Sequence, residues 1–168
     1  NIGNQVNRTY DYTLELPRGG QLNVSSANHL NYAEETIGGG ALLTKTSGGY
    51  ELDILGKHKI FTRNGNERLN RSIKTLQPLQ IIGGLRRSVR RVTDGQVEVS
   101  HNIAEFKAVY TAQNLEWSSS CCHPVSGTMT VDYTGTREGS ATVTFGSCGT
   151  ATLDKDGESH EIAFGYCE

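Results

Sequence analysis

The chain has 168 residues, a net charge of −2 and 35% hydrophobic residues, enough for about one domain with a core of its own. Glycine (20), threonine (17), serine (13) and asparagine (11) together supply 61 residues, beside one methionine and three prolines. That excess of turn-forming and strand-tolerant residues argues against a helix bundle. No apolar run approaches the roughly 18 residues of a membrane-spanning helix.

In chain order, residues 10–16 alternate, with Tyr10, Tyr12, Leu14 and Leu16 on one strand face. Turn signals recur at Gly19-Gly20, Gly48-Gly49, Asn64-Gly65, Asp94-Gly95, Glu138-Gly139 and Asp156-Gly157, where positive φ angles suit tight hairpins. Residues 69–79 read as a short turn of helix ended by Pro78. Residues 89–99 read as one hairpin about Asp94-Gly95. Residues 105–117 have some helical character, but Val109-Tyr110-Thr111 favours a strand. Residues 128–133 and 141–145 alternate cleanly. The stretch 127–167 reads as three long strands joined at 137–140 and 154–157. The expectation is one all-β domain over 1–168, an antiparallel meander forming a sandwich or partly closed barrel, with a sub-sheet boundary near residue 60.

Charge is uneven. From Arg63 to Arg91 eight bases stand against Glu67 alone, while the rest carries eight bases against seventeen acids. Within that window Arg86, Arg87, Arg90 and Arg91 form the candidate anion-binding set. Read as a strand, 85–92 places Arg87 and Arg91 on one face and Arg86 and Arg90 on the other. Guanidinium groups so clustered suit phosphate, sulfate or carboxylate. Stacking aromatics are absent nearby, so acidic polysaccharide or lipid head groups fit better than nucleic acid. The structural alternative is cross-strand pairing of these bases with acids.

The four cysteines, Cys121, Cys122, Cys148 and Cys167, lie in the last 48 residues. Adjacent cysteines on a strand point to opposite faces and serve one zinc ion badly. Two structural disulfides remain, with Cys148 taking one of Cys121 and Cys122 and Cys167 the other. His123 is then a turn residue before Pro124 rather than a ligand. No cofactor or metal is expected. Paired cysteines, with a chain that opens on Asn1 rather than Met, read as the mature or trimmed part of an exported precursor.

Catalytic signals are incomplete. Glu51-Leu52-Asp53 puts two carboxylates on one strand face. It resembles the catalytic strand of the laminarinase-type retaining glycoside hydrolases, but Leu55 and Gly56 stand where the second glutamate falls. Retaining chemistry needs two carboxyls about 5–5.5 Å apart. Any partner would come from a distant strand, as from Glu34, Glu35 or Glu98. The run from Asp154 to Glu158 begins like a calcium loop, yet Gly165 stands at its twelfth position. The five histidines have no identifiable nucleophile. No catalytic residue is assigned.

The tail, Cys122-His123-Pro124-Val125-Ser126-Gly127 followed by Phe145-Gly146-Ser147-Cys148-Gly149-Thr150-Ala151, is similar to the C-terminal part of uncharacterised exported proteins, often lipoproteins, of Gram-negative bacteria. The resemblance implies a periplasmic, outer-membrane-surface or extracellular location and a β-rich fold, and carries no activity. The expected function is a non-catalytic envelope or surface domain with a binding, adhesion or structural role toward anionic glycans or lipid head groups. The alternative is a glycoside hydrolase-like sandwich acting through Glu51 and Asp53.

Overall fold

The computed structural model describes residues 4–165. Its strands are β1 (Gln5–Arg8), β2 (Asp11–Leu16), β3 (Gly20–Ser25), β4 (His29–Leu30), β5 (Thr36–Ile37), β6 (Gly40–Lys45), β7 (Tyr50–Arg63), β8 (Asn66–Ile82), β9 (Arg91–His101), β10 (Phe106–Glu116), β11 (Ser126–Gly135), β12 (Gly139–Phe145), β13 (Thr150–Lys155) and β14 (Glu158–Ala163). Among the described residues there is no α-helix, only a 3₁₀ turn at Arg87–Val89. From β6 to β14 the order in the sheet is the order in the chain. The expected antiparallel meander is what forms, and its sheet is not closed into a barrel.

The long β7 changes neighbour along its length. It pairs with β6 as far as Gly56 and with β3 from His58 onward. β1 extends the β6 side and β2 the β3 side, so the sheet forks at β7. Asn64-Gly65 and Asp156-Gly157 make their turns with positive φ at both residues, as two-residue hairpins require. The Asp154-to-Glu158 run is thus a hairpin and not an ion-binding loop.

Four expectations are corrected. Residues 69–79 lie in β8 rather than in a helical turn. Pro78 is accommodated where the β8–β9 register slips between Gln77 and Gln80, a bulge that needs no ladder donor. Asp94-Gly95 is no hairpin turn, because β9 runs straight through it. Gly95 has φ +134°, and a Cβ there would lie 2.7 Å from the Leu79 backbone, so it marks a bulge pressed against β8. Residues 85–92 are not one strand: 83–90 form a loop with a 3₁₀ turn, and β9 begins only at Arg91. Residues 127–163 hold four strands rather than three, since 146–149 make a further turn.

Period-two alternation gives the sheet two unlike faces. One row runs Tyr12–Val24–Lys59–Arg71–His101–Phe106, and the next runs Lys57–Ile73–Val99–Ala108–Tyr133. A third, Thr75–Val97–Tyr110–Val131–Ala141, lies beside them. The core forms on this face. Phe106, Ala108, Val131 and Ala141 are buried with Tyr110, Tyr133 and Leu153 around them. A second cluster joins Ile81, Val92, Ala112 and Leu115 to Leu52, Trp117, Met129 and Phe145. The other face is polar, with rows such as Gln96–Thr111–Thr130–Thr142–Asp154.

The molecule is thin. Strands in substantial contact are hydrogen-bonded neighbours, except β5, which lies over β7 and β8. The surface is 10185 Å², against roughly 8,100 Å² for a compact monomer of this mass. No side chain larger than Val24 is completely buried among the described residues.

One disulfide joins Cys121, before β11, to Cys148, between β12 and β13. Cys122 is also disulfide-bonded; Cys167, its expected partner, lies outside the described residues. Closing 27 residues stabilises by about 3.5 kcal/mol through loop entropy. Cys121→Ser with Cys148→Ser is expected to lower the urea midpoint by about that free energy. Gly56→Ala offers a second test. Its Cβ would lie 2.2 Å from the Gly38 backbone nitrogen, so the 26–39 segment must lift. A loss of about 1–3 kcal/mol is expected, read by the same titration.

Candidate functional site

Residues 26–39, which contain the β4–β5 hairpin, fold over the polar face above β7, β8 and β9. The contact is a hydrogen-bonded junction. The His29 ring lies flat on His58, centroids 3.8 Å apart. His29 Nδ1 is 3.2 Å from the Ala27 carbonyl, an acceptor, so Nδ1 carries the proton and Nε2 accepts from the Ser72 hydroxyl at 2.8 Å. Asn102 donates to Ser72 and to Asn70, whose Oδ1 also meets His58 Nε2. Asn31 donates to Ser100 and Glu35. Below them Glu35 Oε2 stands 2.9 Å from Lys107 Nζ and 3.4 Å from Lys74 Nζ. Buried Glu98 is 3.3 Å from Lys74.

The pairing of Ser72 with His29 has the shape of a nucleophile and base. Ser72 is 1% exposed, and its hydroxyl is engaged on both sides. A hydroxyl that substrate cannot reach does no chemistry, so this junction seals the hairpin to the sheet. Glu35 and Glu98 are brought together, but around two lysines that neutralise them. The Lys107 hydrogen bond, then Asn31, hold the Glu35 carboxyl down to about 2 against burial. Burial opposes the charged Lys107, yet the Glu35 bond and both carboxylates outweigh it and raise its pKa. Asn70, in a glycosylation-type triplet, is spent on the same network.

Glu51 and Asp53 do share a face. Glu51 accepts from Gln80 at 2.9 Å in the flat row Gln5–Thr44–Glu51–Gln80–Asp94. Asp53 accepts from the Thr75 hydroxyl. Thr75 also receives the Ile54 N–H, filling the gap in the β7–β8 ladder. Both carboxylates thus have ladder roles. Among the described residues no His, Cys, Asp and Glu group has metal-site geometry.

Arg86, Arg90 and Arg91 go to different surroundings. Arg91 pairs with Glu116 across the β9–β10 ladder, as the structural alternative requires. Arg90 lies over the Trp117 ring, 4.5 Å from its centroid. Arg86 is exposed ahead of the turn that Arg87 opens.

A different basic array emerges on the apolar face. Arg8 and Lys57 both lie over the Tyr10 ring, at 5.2 and 4.1 Å. Lys59 is two residues on, directly opposite Arg71, which is opposite His101. Arg137 lies over Phe106, on which His101 stacks. Among the described residues, no acid lies within ion-pair distance of Arg8, Lys57, Lys59, Arg71 or Arg137. Burial, then Lys59 and Arg8, push the Lys57 ammonium down. Burial, then Arg71 and Arg137, push His101 down to about 4. From β7 to β14 the polar face carries Glu67, Glu98, Asp132, Asp154 and Glu161 with Lys74, Lys107 and Arg91 among them, while Glu158, opposite Lys155 in the row of Ala141, lies on the apolar face at the far edge from the array. Most strand carboxylates thus lie away from the basic array. Sequence reasoning missed the array because five segments supply it. The spacing of Lys57 and Lys59 was its one local signal.

Acid stability follows from these shifts. His29 and His101 both sit below the usual 6.5, so the unfolded chain takes up their protons first. Stability from the neutral rings is complete above about 6.5 and is lost as pH falls toward 4. Glu35, held near 2 against 4.5, adds a loss below pH 4.5. The melting temperature is expected to be level above pH 7 and to fall between pH 6.5 and 4. His101→Phe, which keeps the stack on Phe106, is expected to flatten that fall; an unchanged slope counts against this assignment. None of the family models, curated proteins and solved structures compared with this chain matches it.

Proposed function

We propose that the protein is a non-catalytic binding domain of the bacterial envelope whose ligand is anionic. The observation that supports this most is the basic array of Arg8, Lys57, Lys59, Arg71 and Arg137 on the apolar face, with no acid of the described residues within ion-pair distance and most strand carboxylates on the other face. A structural role alone would favour acids opposite these bases, as at Arg91 and Glu116. Exposed fields of one sign attract oppositely charged ligands and are screened by salt over about 8–10 Å. The array takes over the anion-binding role expected of Arg86, Arg87, Arg90 and Arg91, of which Arg90 adjoins it through the groove described below. Export and membership of an envelope protein rest on the tail pattern around Cys122 and Cys148 and on the paired cysteines.

The test is retention on heparin at rising salt. The wild type is expected to be retained and to elute earlier as salt increases. Lys59→Ser with Arg71→Ser is expected to weaken retention at least tenfold, while Arg86→Ser leaves it within twofold. Circular dichroism checks that the double variant stays folded. Equal retention of all three proteins overturns the assignment. So does turnover of β-glucan, chitin or peptidoglycan that disappears in Glu51→Gln, which favours the glycosidase.

A further inference from the structure

The basic array is not set in a polar surface. Between β1, β6, β7 and β8 runs a groove of about 370 Å³, within the size range of small-ligand sites. Val6, Leu43, Leu52 and Ile81 form its apolar lining, and Arg8 and Arg90 lie along it. The floor is ladder-aligned, because Val6 is opposite Leu43 and Leu43 opposite Leu52. Tyr10 continues the lining and brings Lys57 to its edge. Val6 is 58% exposed and Leu85, on the opposite lip, 46%. On the β2 limb of the same face Tyr12, Leu14 and Leu16 are exposed as well.

We infer that the anionic ligand is a lipid, with acyl chain along the Val6–Leu43–Leu52–Ile81 groove and the head group held by Arg8 and Lys57. This deepens the preceding proposal and rests on it. The groove asks for hydrocarbon, since apolar surface gains about 25 cal/mol per Å² on leaving water. The cations ask for phosphate or carboxylate at its edge. A soluble polysaccharide meets the second demand and leaves the first unmet. An uncharged apolar ligand leaves Arg8 and Lys57 uncompensated. Lys57 and Arg8 already repel each other across Tyr10, and one anion between them relieves that repulsion.

The experiment is co-flotation with vesicles, using the whole chain. The probes are phosphatidylcholine vesicles with and without 30% phosphatidylglycerol, with heparin retention measured in parallel. The wild type is expected to float with the anionic vesicles at least tenfold more than with the neutral ones. Arg8→Ser with Lys57→Ser is expected to lose that binding. Val6→Ser with Leu85→Ser, both at exposed sites, is expected to lose vesicle binding at least fivefold while keeping heparin retention. Vesicle binding that survives the apolar pair, or that is equal for neutral and anionic vesicles, overturns the lipid assignment. Heparin retention without vesicle binding overturns it too but leaves the anionic ligand standing. Failure of both probes overturns both.

Discussion

A sheet of twelve strands has two faces, and residues 26–39 cover one patch of one of them. Everything else in the molecule answers to that shortage of cover. With no second layer, side chains are buried by their neighbours in the same sheet. Small residues fare best: Ala108 and Ala141 sink among Phe106, Tyr110, Tyr133 and Leu153, and Ala112 among Leu115, Met129 and Phe145. Many large apolar residues stay exposed, among them Tyr12, Leu14, Leu55 and Leu76, although Phe106, Ile81 and Leu115 are buried. The junction under the hairpin is polar for the same reason. A sealed patch there needs every donor matched, and His29, Ser72, Asn70 and Asn102 match one another.

Charge then sorts itself by the alternation of the strands. On the polar face, cation and carboxylate meet and compensate, as Lys74 and Lys107 do with Glu35 and Glu98. On the apolar face, like charges stand about one strand spacing apart. Two unit charges near 6 Å repel by on the order of 1–3 kcal/mol across surface-like dielectrics. Several such pairs weigh against a marginal folding free energy of about 5–15 kcal/mol.

The meander was legible in the sequence because its causes are local. Asn64-Gly65 and Asp156-Gly157 declare their turns, and residues 128–133 and 141–145 alternate without interruption. The errors came where the same residues serve another geometry. Asp94-Gly95 and Pro78 are bulge residues that look like turn residues, since both roles ask for a broken ladder. Arg86, Arg87, Arg90 and Arg91 stood out as a candidate set because proximity in the chain is visible. Arg8, Lys57, Arg71 and Arg137 escaped notice because only the register of long ladders unites them. Cys121 and Cys148 were legible as a bridge by count and direction, with the choice between Cys121 and Cys122 left to the fold.

The disulfide also has a bearing on how this molecule comes apart. Because each strand leans mainly on the two beside it, stability is close to a sum of nearest-neighbour terms, as in a linear array of repeats. Such an object frays from its ends instead of opening at once. β14 has a single partner, β13, and lies largely in water. The bridge from Cys121 to Cys148 sits two strands further in. It ties the β12–β13 turn to the entrance of β11, and His123, beside the disulfide-bonded Cys122, holds the far end of β14 by stacking on Phe164 and meeting the Gly165 carbonyl. Strands β13 and β14 can therefore open only as a loop held at both ends, beginning at the Asp156-Gly157 turn.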